Sequence, residues 1–319
     1  MATVLKPGWS KPSTILFASE IPANEKAFTF ALAQAVEFGA ELILFHAYDK
    51  LVVSATESSS VLYYDSTAAS RDEMEHLKPM AECVRKAGVK CKTVVRPGLA
   101  ADQILSFLRE REIDRIVMGT HSPGPIGKLL VGSVAEAVLR MASVPVFIVG
   151  PEVVDWAHGK FALRSILCGI SLHESSSMVA AFAAELAAEH SARLILQHVI
   201  RPQERQEVLA GRSIQQIENG LVSLVPVALR GRIAVQTIVA SGDPTEELLF
   251  QAWSQQAGLI VLGAQGASAF AAVARLGVVY KMLAQARCPV MTLSPVVLAA
   301  NGAKMEWIHS PEVFLAGVF

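Results

Sequence analysis

The sequence contains little charge and no long apolar run. Charged residues make up 18% of its 319 residues and the formal net charge is −1. No cluster of Lys and Arg with interleaved aromatic residues stands out, so we do not expect nucleic-acid binding. No stretch approaches the ~18 consecutive apolar residues of a membrane helix. Because the first residues also lack the apolar run of a signal peptide, the sequence predicts a cytoplasmic protein without a membrane partner.

Cysteine is also scarce. The four cysteines Cys83, Cys91, Cys168 and Cys288 occur singly, with no C-x-x-C pair. They therefore offer no framework for a metal or a redox centre. Cys168 and Cys288 lie in or beside apolar strand patterns, and we expect both to be buried thiols.

Hydrophobic residues are abundant, at 52%, and they recur in two similar copies. Residues 98–122 align with residues 242–266. Two residue pairs have the same offset of 144 positions: Gly119 with Gly263, and Pro145 with Pro289. Shorter matches upstream extend the repeat to the first strand of each copy. A repeat of this length predicts two like domains.

Each copy alternates short apolar runs with helical patterns in the order βαβαβαβαβ. Such alternation predicts an α/β fold in which a parallel sheet is covered on both faces. The expected architecture is two doubly wound, parallel five-stranded sheet domains in tandem. We predict domain 1 at residues 1–150, a linker at 151–163, domain 2 at 164–297 and a tail at 298–319. In the second copy, helices are predicted around 203–229 and from 278 to 286.

One segment of the first copy has the features of a phosphate site. Gly119 follows a buried strand, and Gly132 precedes Ser133 at the start of a helical pattern. Free N–H groups at a helix N-terminus favour anions, and a glycine there lets a phosphate approach the backbone. Ser133 and Glu136 also have the spacing of a capping box, which would cap the helix without any ligand. The two interpretations are compatible.

Two other phosphate motifs do not fit this segment. A P-loop requires G-x4-G-K-[ST], but Ser122 stands five positions before Gly127 and Leu129 follows Lys128. A dinucleotide-binding G-x-G-x-x-G would follow the first strand, where this chain has ASEIPAN. Both motifs are therefore excluded.

The segment resembles the signature of the universal stress protein family, whose nucleotide-binding members carry G-x2-G-x9-G-[ST] after the fourth strand. Here Gly119 is followed by Ser122 in place of the second glycine, then by nine residues and the pair Gly132 and Ser133. The resemblance covers nearly all of residues 13–150 and 164–296.

The resemblance implies one adenine nucleotide per chain, ATP with or without Mg, bound in domain 1. The family's aspartate at the end of the first strand corresponds to Glu20, which keeps the charge on a longer side chain. A solvated loop carboxylate is the alternative interpretation of Glu20. The nucleotide contacts implied by the resemblance are Ala18, Ser19, Glu20, Ala47, Met118, Gly119, His121, Ser122, Gly132, Ser133 and Val134.

Histidines near these strands do not indicate catalysis. His121 has no Asp or Cys nearby in the sequence that would suggest a triad or a metal set, so a polar contact is the simpler role. Lys128 suits either a phosphate contact or a solvated surface. His46 and His198 occupy the same place in both copies, which favours a shared structural role.

The second copy has lost the signature. Ten residues separate Gly266 from Gly277, Val278 replaces the hydroxyl residue, and Ser171 stands where the first copy has Glu20. We therefore expect no tightly bound nucleotide in domain 2.

Members of the resembled family commonly dimerise through their last strands. A tandem chain can make that pairing internally, between residues 144–149 and 289–293, and a further homodimer stays open. The sequence favours an ATP-binding stress or signalling module. A nucleotide-free interaction protein of the same fold is the alternative, and a weak ATP hydrolase is a third, although the base and metal-binding carboxylate of a hydrolase are not visible.

Overall fold

The computed structural model describes residues 9–48, 66–120, 132–154, 163–172, 175–202, 205–206, 213–263 and 269–300. The first half alternates strands and helices along the chain. Its elements are β1 (Thr14–Ala18), α1 (Glu25–Phe38), β2 (Glu41–Tyr48), α2 (Ser66–Lys86), β3 (Cys91–Pro97), α3 (Ala100–Glu110), β4 (Arg115–Gly119), α4 (Ser133–Met141) and β5 (Val146–Val149).

The second half repeats this order. Its elements are β6 (Ser165–Ile170), α5 (Ser176–Glu189), β7 (Arg193–Ile200), α6 (Ile214–Ser223), α7 (Val227–Arg230), β8 (Val235–Ser241), α8 (Pro244–Ser254), β9 (Leu259–Gly263), α9 (Ala269–Gln285), β10 (Val290–Leu293) and α10 (Pro295–Ala300).

The ten strands of the described residues form one sheet, in the order β3-β2-β1-β4-β5-β10-β9-β6-β7-β8. Within each half the five strands are parallel, which confirms the predicted fold class. The halves join where β5 and β10 pair antiparallel, with Phe147 opposite Met291. This is the internal pairing of last strands that the sequence suggested. The winding direction reverses between β1 and β4, and again between β6 and β9.

Local sequence explains the strands and the first helix. The central strands are buried along their length, as parallel strands covered on both faces require. The α1 helix begins after Asn24, whose side chain accepts a hydrogen bond from the Ala27 N–H, and ends at Gly39 with a φ of 63°. Both are standard helix boundaries, since asparagine caps helix starts and glycine adopts the left-handed turn at helix ends.

Backbone contact is very close where the two halves meet. A Cβ added at Gly150, which follows β5, would lie 2.1 Å from the carbonyl oxygen of Leu283 in α9. At the matching place in the second half, the Ser294 hydroxyl donates to the Ala142 carbonyl at the end of α4. Only glycine therefore fits at position 150, and the joint depends on that fit.

A buried guanidinium also lies near this joint. Arg115 donates to Gln34 Oε1 at 2.7 Å, to the Ser10 carbonyl at 3.0 Å and to the Trp9 carbonyl. Burial lowers the pKa of Arg115 to about 9. Burial, followed by the charge of Arg115, lowers the pKa of His190 in the second half to about 4. The buried cation thus influences groups from both halves.

Candidate functional site

The site predicted in the first half lies at the carboxyl edge of β1 and β4. Ala18 and Met118 are neighbours in register at the ends of these strands, and both are buried. The Ser19 N–H bonds to the Phe45 carbonyl at 3.0 Å, which brings the end of β2, with Ala47, to the same edge. Ligands of doubly wound sheets bind at this type of edge, where the winding direction reverses.

Asn24 organises this edge and was not singled out from the sequence. Its Nδ2 donates to the Thr120 carbonyl at 3.1 Å, so the start of α1 is tied to the end of β4. A Cβ on Gly119 would lie 2.5 Å from the Asn24 Cβ. Gly119 is therefore required for close contact with α1. The position of Asn24 just before a helical pattern was the available signal.

Thr120 is a second residue that the sequence analysis missed. Only 5% of it is exposed, and among the described residues its Oγ1 has no hydrogen-bond partner. Its N–H donates to the Val149 carbonyl at 3.1 Å, which fixes its backbone beside β5. A buried hydroxyl without a partner costs about 1–3 kcal/mol. It therefore leaves a hydrogen-bonding group available directly after Gly119.

The start of α4 differs from the predicted capping box. Gly132 is the N-cap residue, with φ −57° and ψ 151°, and as a glycine it provides no side-chain cap. Ser133 is already the first helical residue, so its side chain is not at the capping position. Glu136 pairs with Arg140 at 2.9 Å, one turn further along the helix. The capping-box prediction was wrong by one position.

An uncapped start leaves backbone donors available. The first N–H groups of a helix have no partner within the helix, and in the part of the chain that the structure describes no side chain is recorded as capping this one. Gly132 and Ser133 are exposed, and a Cβ at Gly132 would meet nothing within 4 Å. The helix dipole adds partial positive charge at this end. The geometry suits an anion such as a phosphate.

The other predicted contacts differ in their surroundings. Val134 is half-buried in the first turn of α4, while Glu20 is exposed and its carbonyl accepts from the Ser19 hydroxyl at 2.6 Å. His121 and Ser122 lie outside the described residues, as does Lys128.

The structural role predicted for the paired histidines is confirmed. His46 Nδ1 lies 2.9 Å from the Ser19 carbonyl, and His198 Nδ1 lies 2.9 Å from the Ile170 carbonyl. Each ring therefore holds the backbone at the end of the first strand of its half. In the first half, His46 Nε2 also lies 3.6 Å from Glu73.

The corresponding edge of the second half is built differently. The helix before its last strand, α9, begins at Ala269 rather than at the predicted Val278. Gly277 and Val278 therefore lie inside the helix, where regular i to i−4 bonding engages their N–H groups. The cause is the alanine-rich run before them, since alanine is the strongest helix former. Domain 2 thus lacks a helix start at the position of Gly132.

Two other kinds of feature are absent from the described residues. They contain no group of three or more His, Cys, Asp or Glu arranged to hold a metal ion. None of the described helices combines the length and the apolar character needed to cross a membrane.

The fold and this edge define a class of protein: a tandem α/β protein with two matching halves, one of which presents a helix start with a glycine N-cap at the carboxyl edge of its strands. The model of the Universal stress protein family matches residues 13–150 and 162–294. The chain belongs to this family, as a tandem member.

Individual relatives agree with that assignment. The chain is 25% identical over 287 residues to a universal stress protein of Mycolicibacterium smegmatis, a match covering 85% of this chain and 93% of the relative. It is 30% identical over 124 residues to one from Methanocaldococcus jannaschii, covering 39% and 73%. The crystal structure of a universal stress protein from Archaeoglobus fulgidus has the same fold, with a TM-score of 0.65 and 18% identity over 88% of this chain and 98% of that one.

Proposed function

We propose that the first half binds one adenine nucleotide, ATP, and that the chain acts as a stress-response or signalling protein through this binding rather than through catalysis. This proposal depends on a contrast between the two halves. At the same place in the repeat, α4 begins with an uncapped Gly132, whereas α9 continues through Gly277.

The described residues fit the phosphates of a nucleotide. Gly132 and Ser133 at the start of α4 are exposed, and a Cβ added at Gly132 would meet nothing within 4 Å, which leaves room for phosphate oxygens beside the first N–H groups of the helix. Thr120 adds a buried hydroxyl that has no described partner. A phosphate bound here would accept hydrogen bonds from donors that have no partner among the described residues.

The described residues also fit the nucleoside. Ala18, Met118 and Ala47 would form an apolar edge beside the base, and Glu20, two positions after Ala18, is exposed. Apolar walls with a few polar groups are typical of small-molecule sites. Mg²⁺, when bound, would neutralise phosphate charge, and the protein side chains would orient the nucleotide.

We assign binding rather than turnover because the described imidazole near this edge is engaged structurally. His46 bonds to the Ser19 carbonyl through Nδ1 and approaches Glu73 through Nε2. A nucleotide held by α4 and β4 stabilises one arrangement of the first half, which other proteins can then recognise.

Two measurements test this proposal. The purified chain is denatured and the released small molecules are identified by mass spectrometry, and ATP binding to the emptied protein is measured by calorimetry. We expect one adenine nucleotide per chain. Absence of both released nucleotide and ATP binding would contradict the proposal and favour a nucleotide-free interaction protein. Release of ADP and phosphate during prolonged incubation with ATP would instead identify a hydrolase.

A further inference from the structure

The two outer strands of the sheet, β3 and β8, occupy the same position in the repeat but differ in charge. β3 carries Lys92 and Arg96 and ends with Pro97. β8, with the sequence VQTIVAS, has seven residues, no charge and no proline. Proteins protect outer strands with charge and proline because their free backbone groups otherwise pair with other chains. β3 has this protection and β8 does not.

The helix beside β3 reinforces its charge. Arg96 pairs with Glu110 of α3 at 2.9 and 2.5 Å, and the Ser106 hydroxyl donates to Glu110 at 3.0 Å. The Arg96 guanidinium also lies 4.9 Å from the centre of the Phe107 ring. Hydrogen bonding to Arg96 holds the pKa of Glu110 at about 2, so this carboxylate stays charged. Polar groups therefore cover the β3 edge.

The same network is absent from the second half because its residues are replaced. A shift of 144 positions places Ala240 at Arg96, Ser254 at Glu110 and Phe250 at Ser106. It also places Trp253 at Arg109. Phe250 is 57% exposed and Trp253 is 62% exposed. Two exposed aromatic rings of α8 therefore occupy the positions that Ser106 and Arg109 have on α3.

Among the described residues, no strand pairs with the outer side of β8. The residues of β8 are half-buried except for the exposed Ser241. Phe250 and Trp253 are three positions apart on α8, so their side chains are neighbours on one helix face. Exposed aromatic side chains that cluster in this way are typical anchors of protein interfaces.

We infer that the β8 edge, together with Phe250 and Trp253, binds the β8 edge of a second copy of this chain. Antiparallel pairing about a two-fold axis at Ile238 places Gln236 opposite Ala240, twice. The same arrangement of β3 would place Lys92 opposite Arg96, twice, and like charges directly opposite each other are destabilising. The uncharged edge is self-complementary, as a two-fold interface requires, and the charged edge is not.

This interface lies outside the proposed nucleotide site and does not depend on it. The chain already makes one antiparallel joint of this kind, between β5 and β10. That internal joint removes the last strands from use by a partner, so β3 and β8 are the two ends left on the sheet.

The test transfers the charges of the first half to the second. The full chain carrying Gln236→Lys and Ala240→Arg is compared with the unmodified chain by sedimentation equilibrium over a wide concentration range. The matched control, Cys83→Lys with Ala87→Arg, adds the same charge at two exposed positions, one near the end of α2 and one directly after it. A third variant, Phe250→Ser with Trp253→Arg, gives α8 the residues that α3 has. Circular dichroism checks that each variant is folded.

We expect the unmodified chain and the α2 control to form dimers with the same Kd. The β8 variant should raise this Kd at least about tenfold, because each substitution occurs twice in a two-fold interface, and the α8 variant should raise it as well. An unmodified chain that stays monomeric would overturn the inference. So would a dimer whose Kd is unchanged in both the β8 and α8 variants, since another surface would then hold it together.

Discussion

Replacing Gly132 by aspartate should separate ligand binding from folding. Gly132 has φ −57° and ψ 151°, which an aspartate adopts without strain, and a Cβ there meets nothing within 4 Å. Aspartate also caps helices slightly better than glycine and favours a helix N-terminus electrostatically, by about 0.3–1 kcal/mol. The free energy of unfolding should therefore stay unchanged or rise slightly in Gly132→Asp.

Nucleotide binding should change in the opposite direction. The new carboxylate occupies the space proposed for a phosphate and competes for the same N–H groups. Unit charges about 5 Å apart repel by about 2–3 kcal/mol at an effective dielectric constant between 20 and 40. This corresponds to an increase of about 30 to 150-fold in the Kd for ATP.

The control for this variant is Gly277→Asp. Gly277 occupies the matching position of the second half, where a Cβ also meets nothing within 4 Å. Gly277→Asp adds the same charge at a position in the interior of α9, where no helix begins. Calorimetry with ATP and thermal unfolding are measured for all three proteins. Weakened binding in both variants, or in neither, would refute the argument from the helix start, and a large loss of stability in Gly132→Asp would refute the argument from local geometry.

Three further predictions concern single residues. Thr120→Val removes a buried hydroxyl that has no described partner, so in urea unfolding the ligand-free protein should be as stable as the unmodified chain or about 1 kcal/mol more stable, while its ATP binding weakens. A marked loss of stability would mean that the hydroxyl has a hydrogen-bond partner within the protein. Gly150→Ala places a methyl 2.1 Å from the Leu283 carbonyl oxygen and should destabilise the chain by about 1–3 kcal/mol. The control Gly231→Ala, whose methyl meets nothing within 4 Å, should change stability by less than about 0.5 kcal/mol. Equal effects of the two substitutions in thermal unfolding would contradict the close packing at the joint. His190 has a folded-state pKa of about 4, below its ordinary 6.5, so as the pH drops the unfolded chain binds this proton before the folded chain does. The free energy of unfolding should therefore fall by about 2–4 kcal/mol from this group between about pH 6.5 and 4. His190→Gln should flatten that part of the pH profile in urea unfolding, and an unchanged slope would show that His190 does not titrate in this way.

Regular apolar patterns made the fold predictable. The α1 helix spans Glu25–Phe38, because a capping asparagine precedes it and a glycine ends it. The repeat predicted two halves with the same strand order, since matching patterns of buried strands and amphipathic helices direct matching folds.

Helix starts near the candidate site were harder to predict. The capping box at Ser133 was misplaced by one residue, and α9 begins nine residues before the predicted Val278. In both cases local spacing allowed more than one start, and the choice depended on the surrounding backbone and on continued helix propensity. Asn24 and Thr120 were missed because their importance comes from contact with each other across 96 positions of the chain.

The sequence by itself determined the fold class, the tandem repeat, the family resemblance and the loss of the signature in the second copy. These follow from residue types at regular spacing, which act locally. Tertiary structure decided which polar groups are left without partners, as at Thr120 and at the start of α4. It also joined the halves through β5 and β10, which leaves one charged and one uncharged strand at the ends of the sheet. These features depend on contacts between distant residues, because burial and hydrogen-bond satisfaction are properties of the packed chain.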